Sequence, residues 1–369
     1  MTIQYDHQIF CNQQFGGISR YFYELISGLR NDPSITTFLD VKYCNNVFLQ
    51  KLQPSNNRLT NASFKGKKDL VKFINGLNTF YLTRKNKFDI FHPTYFHRSC
   101  IGNAQGKPMV LTVYDLIDEK YHSGIPAFQS LLEHRKATIR AASQLIAISE
   151  NTKKDIIEHF AIAPEKIAVT HLGNSLDATA IEQIAKNTGQ QPPYLLFVGS
   201  RKGAHKNFDR FLKAMSQVLQ QEKDLQLVFG GGGDFTAAEA DAFKKEGIEA
   251  RVRYEPIKND SGLIRLYKNA LIFIYPSLYE GFGLPILEAF SCSVPCIISA
   301  GSSIREVGAD AAAYFDPLET ESIASSVLDL LYDTARQEML VKAGHLRSEN
   351  FSWNKTVTAT KQIYRQLLP

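Results

Sequence analysis

The feature that most constrains the fold is an alternation, in both halves of the chain, of short β-branched and aromatic runs with longer segments of helical periodicity. This alternation is typical of βαβ units, and runs so apolar are expected in parallel sheets that helices cover on both faces. The predicted strands are 37–43, 88–92, 109–114, 144–148 and 166–171 in the first half, and 194–199, 225–229, 250–254, 271–275, 294–298 and 311–315 in the second.

The length and a polar stretch divide these elements into two domains. A chain of 369 residues exceeds the roughly 250 to 300 residues over which a single core usually grows. The stretch from Asn174 to Pro193 is rich in turn residues, so we place the boundary there. The sequence predicts two doubly wound Rossmann-like domains, at 1–175 and 190–350. A helix at 351–369 follows, with an apolar face that could pack back across the first domain.

Composition excludes several classes of protein. Apolar residues make up 44% and charged residues 21% of the chain, as in ordinary globular proteins. There is no leader-like start and no apolar run of about 18 residues, so we expect a cytoplasmic protein. The five cysteines are scattered and odd in number, which favours neither a disulfide framework nor a zinc ribbon.

The net charge of +5 is unevenly distributed. Between Lys51 and Lys87 lie nine Lys or Arg residues and a single acid, Asp69, interleaved with aromatic and aliphatic residues. This pattern favours contact with an anionic surface such as a membrane. The alternative is a solvated helix face.

The most informative segment runs from Tyr275 to Ala289. A strand ends near Tyr275, a glycine-containing loop follows, and Pro285 sits where a helix can begin. The free N–H groups at that helix start can hold a diphosphate. Glu280 and Glu288 flank the position and can accept hydrogen bonds from sugar or ribose hydroxyls. Two glutamates at this spacing arise easily by chance, so the turn between them carries the signal.

Three further loops follow predicted strands or precede predicted helices. Gly199, Arg201 and Lys206 lie in a basic loop whose cations can neutralise a diphosphate, although a solvated basic loop would look the same. Gly230 opens a run of four glycines that would let a ligand approach the backbone closely, unless it is only a flexible turn. Gly16 and Gly17 precede a helical pattern and form a second candidate anion cradle.

Taken together, these segments resemble family-4 glycosyltransferases, retaining enzymes of the GT-B fold, and in particular their bacterial polysaccharide and O-antigen members of the mannosyltransferase-like type. The resemblance implies that Glu280 contacts the donor sugar and Glu288 the ribose of the nucleotide. It also implies donor contacts from the residues Gly16, Gly17, Gly199, Arg201, Lys206, Gly230, Ile257, Gly281, Phe282, Gly283 and Leu284, with Ile257 near the base.

One position departs from the family pattern. Family members usually place a His before an Asp after the strand at 109–114, and this chain has Tyr114 followed by Asp115. A phenol with an unperturbed pKa of about 10 is a poor base near neutral pH. Asp115 could serve instead, and His92 is a second candidate, although a lone histidine is more often structural. The predicted catalytic set is Glu280, Arg201, Lys206 and Asp115.

The resulting expectation is transfer of a hexosyl residue from a GDP- or UDP-hexose to a saccharide or a polyprenyl-diphosphate-linked acceptor. The resemblance implies retention of configuration. No Asp-x-Asp occurs in the chain, so we expect neither a metal nor another cofactor, and nothing indicates nucleic acid. We expect peripheral contact with the inner face of an anionic membrane through 51–87. The alternatives are a sugar-nucleotide epimerase or a non-catalytic nucleotide-sugar-binding protein. A nicotinamide dehydrogenase is disfavoured because no Gly-x-Gly-x-x-Gly follows the first strand.

Overall fold

The computed structural model describes residues 1–54, 65–186 and 192–368. Part of the basic stretch 51–87 and the turn residues 187–189 lie outside these ranges. The chain divides into two compact units, the first formed by Met1–Gly173 with the segment from Ser352 onward, and the second by Asn174–Phe351.

The strands are β1 Thr2–Tyr5, β2 Thr36–Phe38, β3 Ile90–His92, β4 Val110–Val113, β5 Gln144–Ala147, β6 Ile167–Val169, β7 Tyr194–Val198, β8 Gln226–Gly230, β9 Val252–Glu255, β10 Ile272–Tyr275, β11 Cys296–Ser299 and β12 Ala313–Phe315. The α-helices are α1 Gln8–Asn12, α2 Gly17–Arg30, α3 Val47–Leu52, α4 Lys67–Lys85, α5 Ser99–Asn103, α6 Ile117–Tyr121, α7 Pro126–Ala141, α8 Glu150–Phe160, α9 Ala178–Gln183, α10 Phe208–Gln221, α11 Ala237–Lys245, α12 Asp260–Lys268, α13 Leu284–Ser291, α14 Ser302–Gly308, α15 Thr320–Tyr332, α16 Thr334–Ser348 and α17 Trp353–Gln366.

In the first unit the strands follow the order β2-β1-β3 and then β4-β5-β6, all paired in parallel. A bridge between Phe91 and Met109 joins the two halves of the sheet. Strand β1 was missing from the sequence prediction, because Ile3 and Tyr5 alternate with the polar Gln4 and the segment is only four residues long.

Strand β2 is shorter than the predicted 37–43. The backbone N–H groups of Val41 and Lys42 donate to the side chains of Gln53 and Asn75 instead of a neighbouring strand. The chain therefore leaves the sheet after Phe38 and turns towards α3.

The second unit contains one six-stranded parallel sheet with the order β12-β11-β10-β7-β8-β9. Its core is aromatic and aliphatic, with Phe197, Phe211, Phe229 and Phe273 each at most 1% exposed. This strand order is that of a doubly wound dinucleotide-binding sheet, so the predicted fold class is confirmed for this unit.

The last helix, α17, packs on α2 of the first unit, as the sequence predicted. Its residue Tyr364 is fully buried, and its hydroxyl lies 3.0 Å from the hydroxyl of Tyr5 and 2.6 Å from Nδ1 of His92. The first unit is thus built from two segments that are distant in sequence.

Candidate active site

The candidate site lies in the second unit at the point where the strand order reverses. The chain runs outward from β7 through β8 to β9, then returns to place β10 on the other side of β7. A crevice forms between the carboxyl ends of two such strands, because the helices that follow them lie on opposite faces of the sheet. The loops after β7 and β10 are held together there, since the N–H of Leu278 donates to the carbonyl of His205 at 2.7 Å.

These two loops bring Lys206 and Glu280 into contact. The ammonium of Lys206 donates to Oε1 of Glu280 at 2.6 Å, and the two side chains are only 16% and 11% exposed. Asn207, which follows Lys206 in a left-handed conformation, donates to the carbonyls of Pro276 and Pro317. These hydrogen bonds hold the loop that carries Lys206 against the loop that carries Glu280.

The loop that carries Glu280 is anchored to the start of α14. The N–H of Glu280 donates to Oγ of Ser302 at 3.1 Å, and the hydroxyl of Ser303 donates to the carbonyls of Glu280 and Phe282. Gly283 then adopts φ +111°, which only glycine takes readily, and α13 begins at the next residue with Pro285 in its first turn. Because the first N–H groups of a helix have no acceptor within it, the amides of Gly283 and Leu284 can bind an anion.

The charges of Glu280 and Glu288 both act on a buried tyrosine, Tyr275. Burial first, and then the charges of Glu280 and Glu288, raise the pKa of Tyr275 well above its ordinary value. Glu288 also accepts a hydrogen bond from the hydroxyl of Tyr267 at 3.0 Å. Burial and the Glu288 charge raise the pKa of Tyr267 as well, so both phenols stay protonated and can stabilise the carboxylates.

Arg201 is bound within the protein. It is 6% exposed, its Nε donates to Glu239 at 2.5 Å, and its terminal nitrogens donate to the carbonyls of Gly231, Gly233 and Asp234. Burial alone would raise the pKa of Glu239, but hydrogen bonds from Arg201 and Thr236 hold it below its ordinary value. Arg201 therefore shapes the glycine loop, and its contact with a diphosphate stays a prediction.

The glycine run after β8 passes directly over the β7 loop. A Cβ on Gly232 would overlap the carbonyl oxygen of Gly199. A Cβ on Gly230 would meet Leu266 at 2.6 Å, and Ile257 packs beside both Gly230 and Gly231. The glycine loop thus packs closely against its neighbours because it has no side chains. The residues brought together at this edge of the sheet are Gly199, Arg201, Gly230 and Ile257.

Gly16, Gly17 and Asp115 belong to the first unit. Gly16 is the N-cap residue and Gly17 the first residue of α2, as the sequence predicted for a helix start. Asp115 follows β4, is half-buried, and accepts a hydrogen bond from the N–H of Ile117 at 3.1 Å. Their contacts with a donor stay predictions.

Tyr114 and His92 both lie in the buried interior of the first unit. Tyr114 is 6% exposed, and burial raises its pKa well above the ordinary value, so it cannot act as a base near neutral pH. His92 is fully buried, with Nδ1 at 2.6 Å from the hydroxyl of Tyr364 and Nε2 at 3.0 Å from that of Thr112. Burial lowers its pKa to about 3. Its place in the core does not support the hypothesis that it replaces the missing histidine.

Most of the described basic stretch forms α4, a helix whose polar residues face the core and whose large apolar residues are mostly exposed. Asn75, Thr79 and Thr83 face the core. Five of its large apolar side chains are instead about half exposed or more: Leu70 49%, Phe73 64%, Leu77 55%, Phe80 51% and Tyr81 58%. Ile74 and Leu82 are partly buried. Within the described ranges, no helix is long and apolar enough to cross a bilayer.

Sequence reasoning missed the partners of the predicted residues. Glu239 binds Arg201 from 38 positions away, and Tyr267 binds Glu288 from 21 positions away. One local signal was present for Glu239, because Thr236 and Glu239 form a capping box at the start of α11. Nothing local marks Tyr267.

Comparison with known proteins identifies the family of the chain. Residues 15–177 match the model of the family described as Glycosyltransferase Family 4, and residues 180–347 match that of Glycosyl transferases group 1. One similar protein is O-antigen chain mannosyltransferase B of Escherichia coli, 31% identical over 242 residues, which are 62% of this chain and 62% of that relative. The matched part of this chain thus spans less than two thirds of that relative's length.

Solved structures show the same fold. WaaG, a glycosyltransferase involved in lipopolysaccharide biosynthesis, superposes with a TM-score of 0.71 at 16% identity, over 98% of this chain and 99% of WaaG. HepE of Anabaena, solved in complex with UDP-glucose, superposes with a TM-score of 0.71 at 17% identity, over 100% of this chain and 99% of HepE. The chain therefore belongs to the glycosyltransferases of the GT-B fold, with a family-4 domain followed by a group 1 domain.

Proposed function

We propose that this protein transfers a hexosyl residue, with retention of anomeric configuration, from a GDP- or UDP-hexose to a saccharide or a polyprenyl-diphosphate-linked saccharide in polysaccharide or O-antigen biosynthesis. The observation that carries the proposal is the Lys206–Glu280 pair beside the free helix start of α13. The similarity to an O-antigen mannosyltransferase favours a mannosyl donor.

The geometry suits a nucleoside diphosphate leaving group. Negative charge grows on the diphosphate as its bond to the anomeric carbon breaks, and Lys206 with the amides of Gly283 and Leu284 can stabilise that charge without a metal. In this proposal Glu280, bound by Lys206, accepts hydrogen bonds from sugar hydroxyls, and Glu288 accepts them from those of the ribose. The acceptor oxygen forms the new bond to the anomeric carbon, and its proton passes to the departing diphosphate.

On the family resemblance, Gly16 and Gly17 remain proposed donor-binding residues of the first unit, and Asp115 remains a proposed catalytic residue. With Tyr114 buried and protonated, the leaving diphosphate is the proposed proton acceptor.

A thermal-shift panel tests the donor site. GDP-, UDP-, ADP- and CDP-sugars are added to the full chain, because a ligand that binds only the folded state raises its melting temperature. We expect one base to stabilise the protein, and Glu288→Ala to remove that shift. Glu249→Ala, at an acid in a short turn of the same unit, serves as the control. If no nucleotide sugar raises the melting temperature, or if Glu288→Ala keeps the full shift, the donor site is wrong.

Turnover is then measured with the best donor and a lipid-linked saccharide. Proton NMR of the product reports the anomeric configuration, and EDTA should leave the rate unchanged. Inverted product would contradict retention, and loss of activity in EDTA would contradict a metal-independent reaction.

The exposed face of α4 is proposed to contact an anionic membrane. Lys67, Lys68, Lys72, Arg84 and Lys85 accompany its apolar side chains, and such a combination favours the surface of a negatively charged bilayer. We expect binding to phosphatidylglycerol vesicles that weakens in high salt and on Phe73→Ser. Binding that responds to neither change would contradict this contact.

A further inference from the structure

The first unit has its own point of strand reversal, between β1 and β3. The chain passes from β1 to β2 on one side and returns to β3 on the other, so a ligand crevice is expected at the carboxyl ends of β1 and β3. A cavity of about 650 Å³ lies there. It is lined by His7 and Gln8 after β1, by Tyr95 to His97 after β3, and by one face of α4.

Most of the wall is apolar. The ring and aliphatic side chains that line it are Phe73, Leu77, Phe80, Tyr95, Phe96 and Leu131. Phe73, Leu77 and Phe80 also belong to the exposed face of α4. A hydrocarbon chain in the cavity could therefore continue along α4 to the protein surface.

The polar part of the wall carries basic groups. His7, Lys72, His97 and His134 all line the cavity. The rings of His97 and His134 meet edge to face with their centroids 4.6 Å apart. Nδ1 of His7 lies 2.7 Å from Oγ1 of Thr79, and Nδ1 of His97 lies 2.8 Å from Oγ of Ser99. In both rings Nδ1 is thus engaged by a hydroxyl of the protein.

Asp6, whose charge acts on His7 and His97, is engaged by other groups. Its carboxylate accepts from the hydroxyl of Thr94 and from the side-chain amide of Gln8, both at 2.6 Å, and it is 3% exposed. Three imidazoles and an ammonium thus line one cavity, and an anion could pair with them.

We propose that this cavity binds the phosphate groups and the first part of the hydrocarbon chain of a lipid-linked acceptor. The inference rests on the proposed function for its choice of a lipid diphosphate over other amphiphilic anions. His7, Lys72, His97 and His134 hold the phosphates, while Phe73, Leu77 and Phe80 hold the hydrocarbon.

The charge of such a ligand gives binding a pH dependence. Burial lowers the pKa of His7, with Asp6 opposing and His97 and Lys72 reinforcing the shift. Burial also lowers the pKa of His97, with His134 and Lys72 reinforcing and Asp6 opposing it. A bound diphosphate favours the charged imidazoles, so binding takes up protons and tightens as the pH falls from 8 to 6.

Farnesyl diphosphate is the probe, titrated calorimetrically into the full chain, with inorganic diphosphate and farnesol as comparison ligands. We expect farnesyl diphosphate to bind about tenfold or more tightly than either, because each lacks one half of the site. The dissociation constant should rise with pH, and two buffers of different ionisation enthalpy report the proton uptake.

Gly76→Leu is the decisive variant. Gly76 lines the cavity within α4, and a Cβ there meets nothing within 4 Å. The added side chain should protrude into the cavity and obstruct it, and it replaces a glycine inside a helix, where glycine is unfavourable. We therefore expect a folded protein with an unchanged or higher melting temperature that loses farnesyl diphosphate binding. Gly102→Leu, at a helical glycine that is also open but lies outside the cavity, is the control.

His134→Ala tests the basic groups in the same way. We expect it to weaken farnesyl diphosphate binding about tenfold, while His159→Ala, at an exposed histidine on α8, leaves binding unchanged.

Farnesyl diphosphate that binds no tighter than inorganic diphosphate, or that binds Gly76→Leu as it binds the parent, would overturn the inference. So would loss of binding to phosphatidylglycerol vesicles in Gly76→Leu without any binding of farnesyl diphosphate, because the cavity would then serve bulk phospholipid. The nucleotide-sugar thermal shift is measured on the same samples. A retained shift with no lipid diphosphate binding rejects the cavity alone, and a lost shift with lipid binding intact rejects the donor site alone.

Discussion

The two points of strand reversal share a backbone plan and differ in their chemistry. In the second unit, the loops after β7 and β10 meet through Lys206 and Glu280, and glycine backbone covers them. In the first unit, the loops after β1 and β3 enclose an apolar cavity with histidines in its wall. The same parallel topology thus provides the location for both sites. The side chains that follow each strand decide which class of ligand fits.

The largest predicted effect is a loss of stability when the hydrogen bonds between Arg201 and the glycine loop of the second unit are removed. Arg201→Ala removes four charge-assisted hydrogen bonds in a partly buried place, to Glu239 and to three carbonyls, so we expect the free energy of unfolding to fall by about 3 to 5 kcal/mol. Urea-induced unfolding measures it. The matched control is Arg253→Ala, whose pair with Glu255 is about one third exposed and should contribute no more than about 1 kcal/mol. Equal losses in the two variants would show that the Arg201 network does not stabilise the loop.

The second prediction compares a cation at the proposed donor site with a nearby cation outside it. Lys206→Ala removes the cation beside Glu280, and we expect the transfer rate to fall about 100-fold to 1000-fold, as when one donor to a developing negative charge is lost. Lys202→Ala, at an exposed cation four positions earlier, should leave the rate close to that of the parent. Steady-state kinetics with the preferred donor measures both. Similar rates in both variants would place the functional charge elsewhere.

A third prediction uses the buried histidine of the first unit. Burial lowers the pKa of His92 to about 3, whereas the unfolded chain should titrate near 6.5. Between these values the unfolded state binds one more proton, so the free energy of unfolding should fall by about 1.4 kcal/mol for each pH unit of acidification.

The check is chemical unfolding at several pH values from 7.5 to 5. His92→Gln keeps hydrogen-bonding groups but does not titrate, so its stability should depend less steeply on pH by about one proton. Identical slopes for the parent and the variant would show that His92 is protonated equally in both states.

The smallest predicted effect is the loss of stability on removing exposed aromatic rings of the first unit, compared with the loss on removing a buried one. Phe73→Ala with Phe80→Ala should change the free energy of unfolding by less than about 0.5 kcal/mol, because both rings are more than half exposed. Phe22→Ala, at a fully buried ring, should cost about 3 to 5 kcal/mol. A large loss in the double variant would mean that the α4 rings contribute to the core of the protein.

The sequence predicted the second unit better than the first, and the reason is local. Strands such as β7 and β10 are continuous apolar runs, and the helix start at Pro285 follows from proline's own geometry. Strand β1 is short and includes the buried but polar Gln4, so its pattern was too weak to predict. Capping depends on neighbours three positions away and is equally local: the side chain of Ser149, the N-cap of α8, accepts from the N–H of Thr152.

Contacts between distant segments were beyond such reasoning. The hydrogen bond from Tyr267 to Glu288 and the pair of Arg201 with Glu239 depend on which strands lie side by side, and composition carries no trace of that. For α4, the sequence pattern identified the interleaved apolar and basic residues. It could not show that Asn75, Thr79 and Thr83, rather than the large rings, face inward.

The placement of α17 has a consequence for the order in which the protein is made. Residues 174–351 form the second unit from one continuous segment, which can fold as soon as it has left the ribosome. The first unit is synthesised earlier but must wait for Tyr364 to reach Tyr5 and His92. The first unit is therefore completed after the second. A stop codon shortly before α17 should leave a nascent chain with a folded second unit and an incomplete first unit.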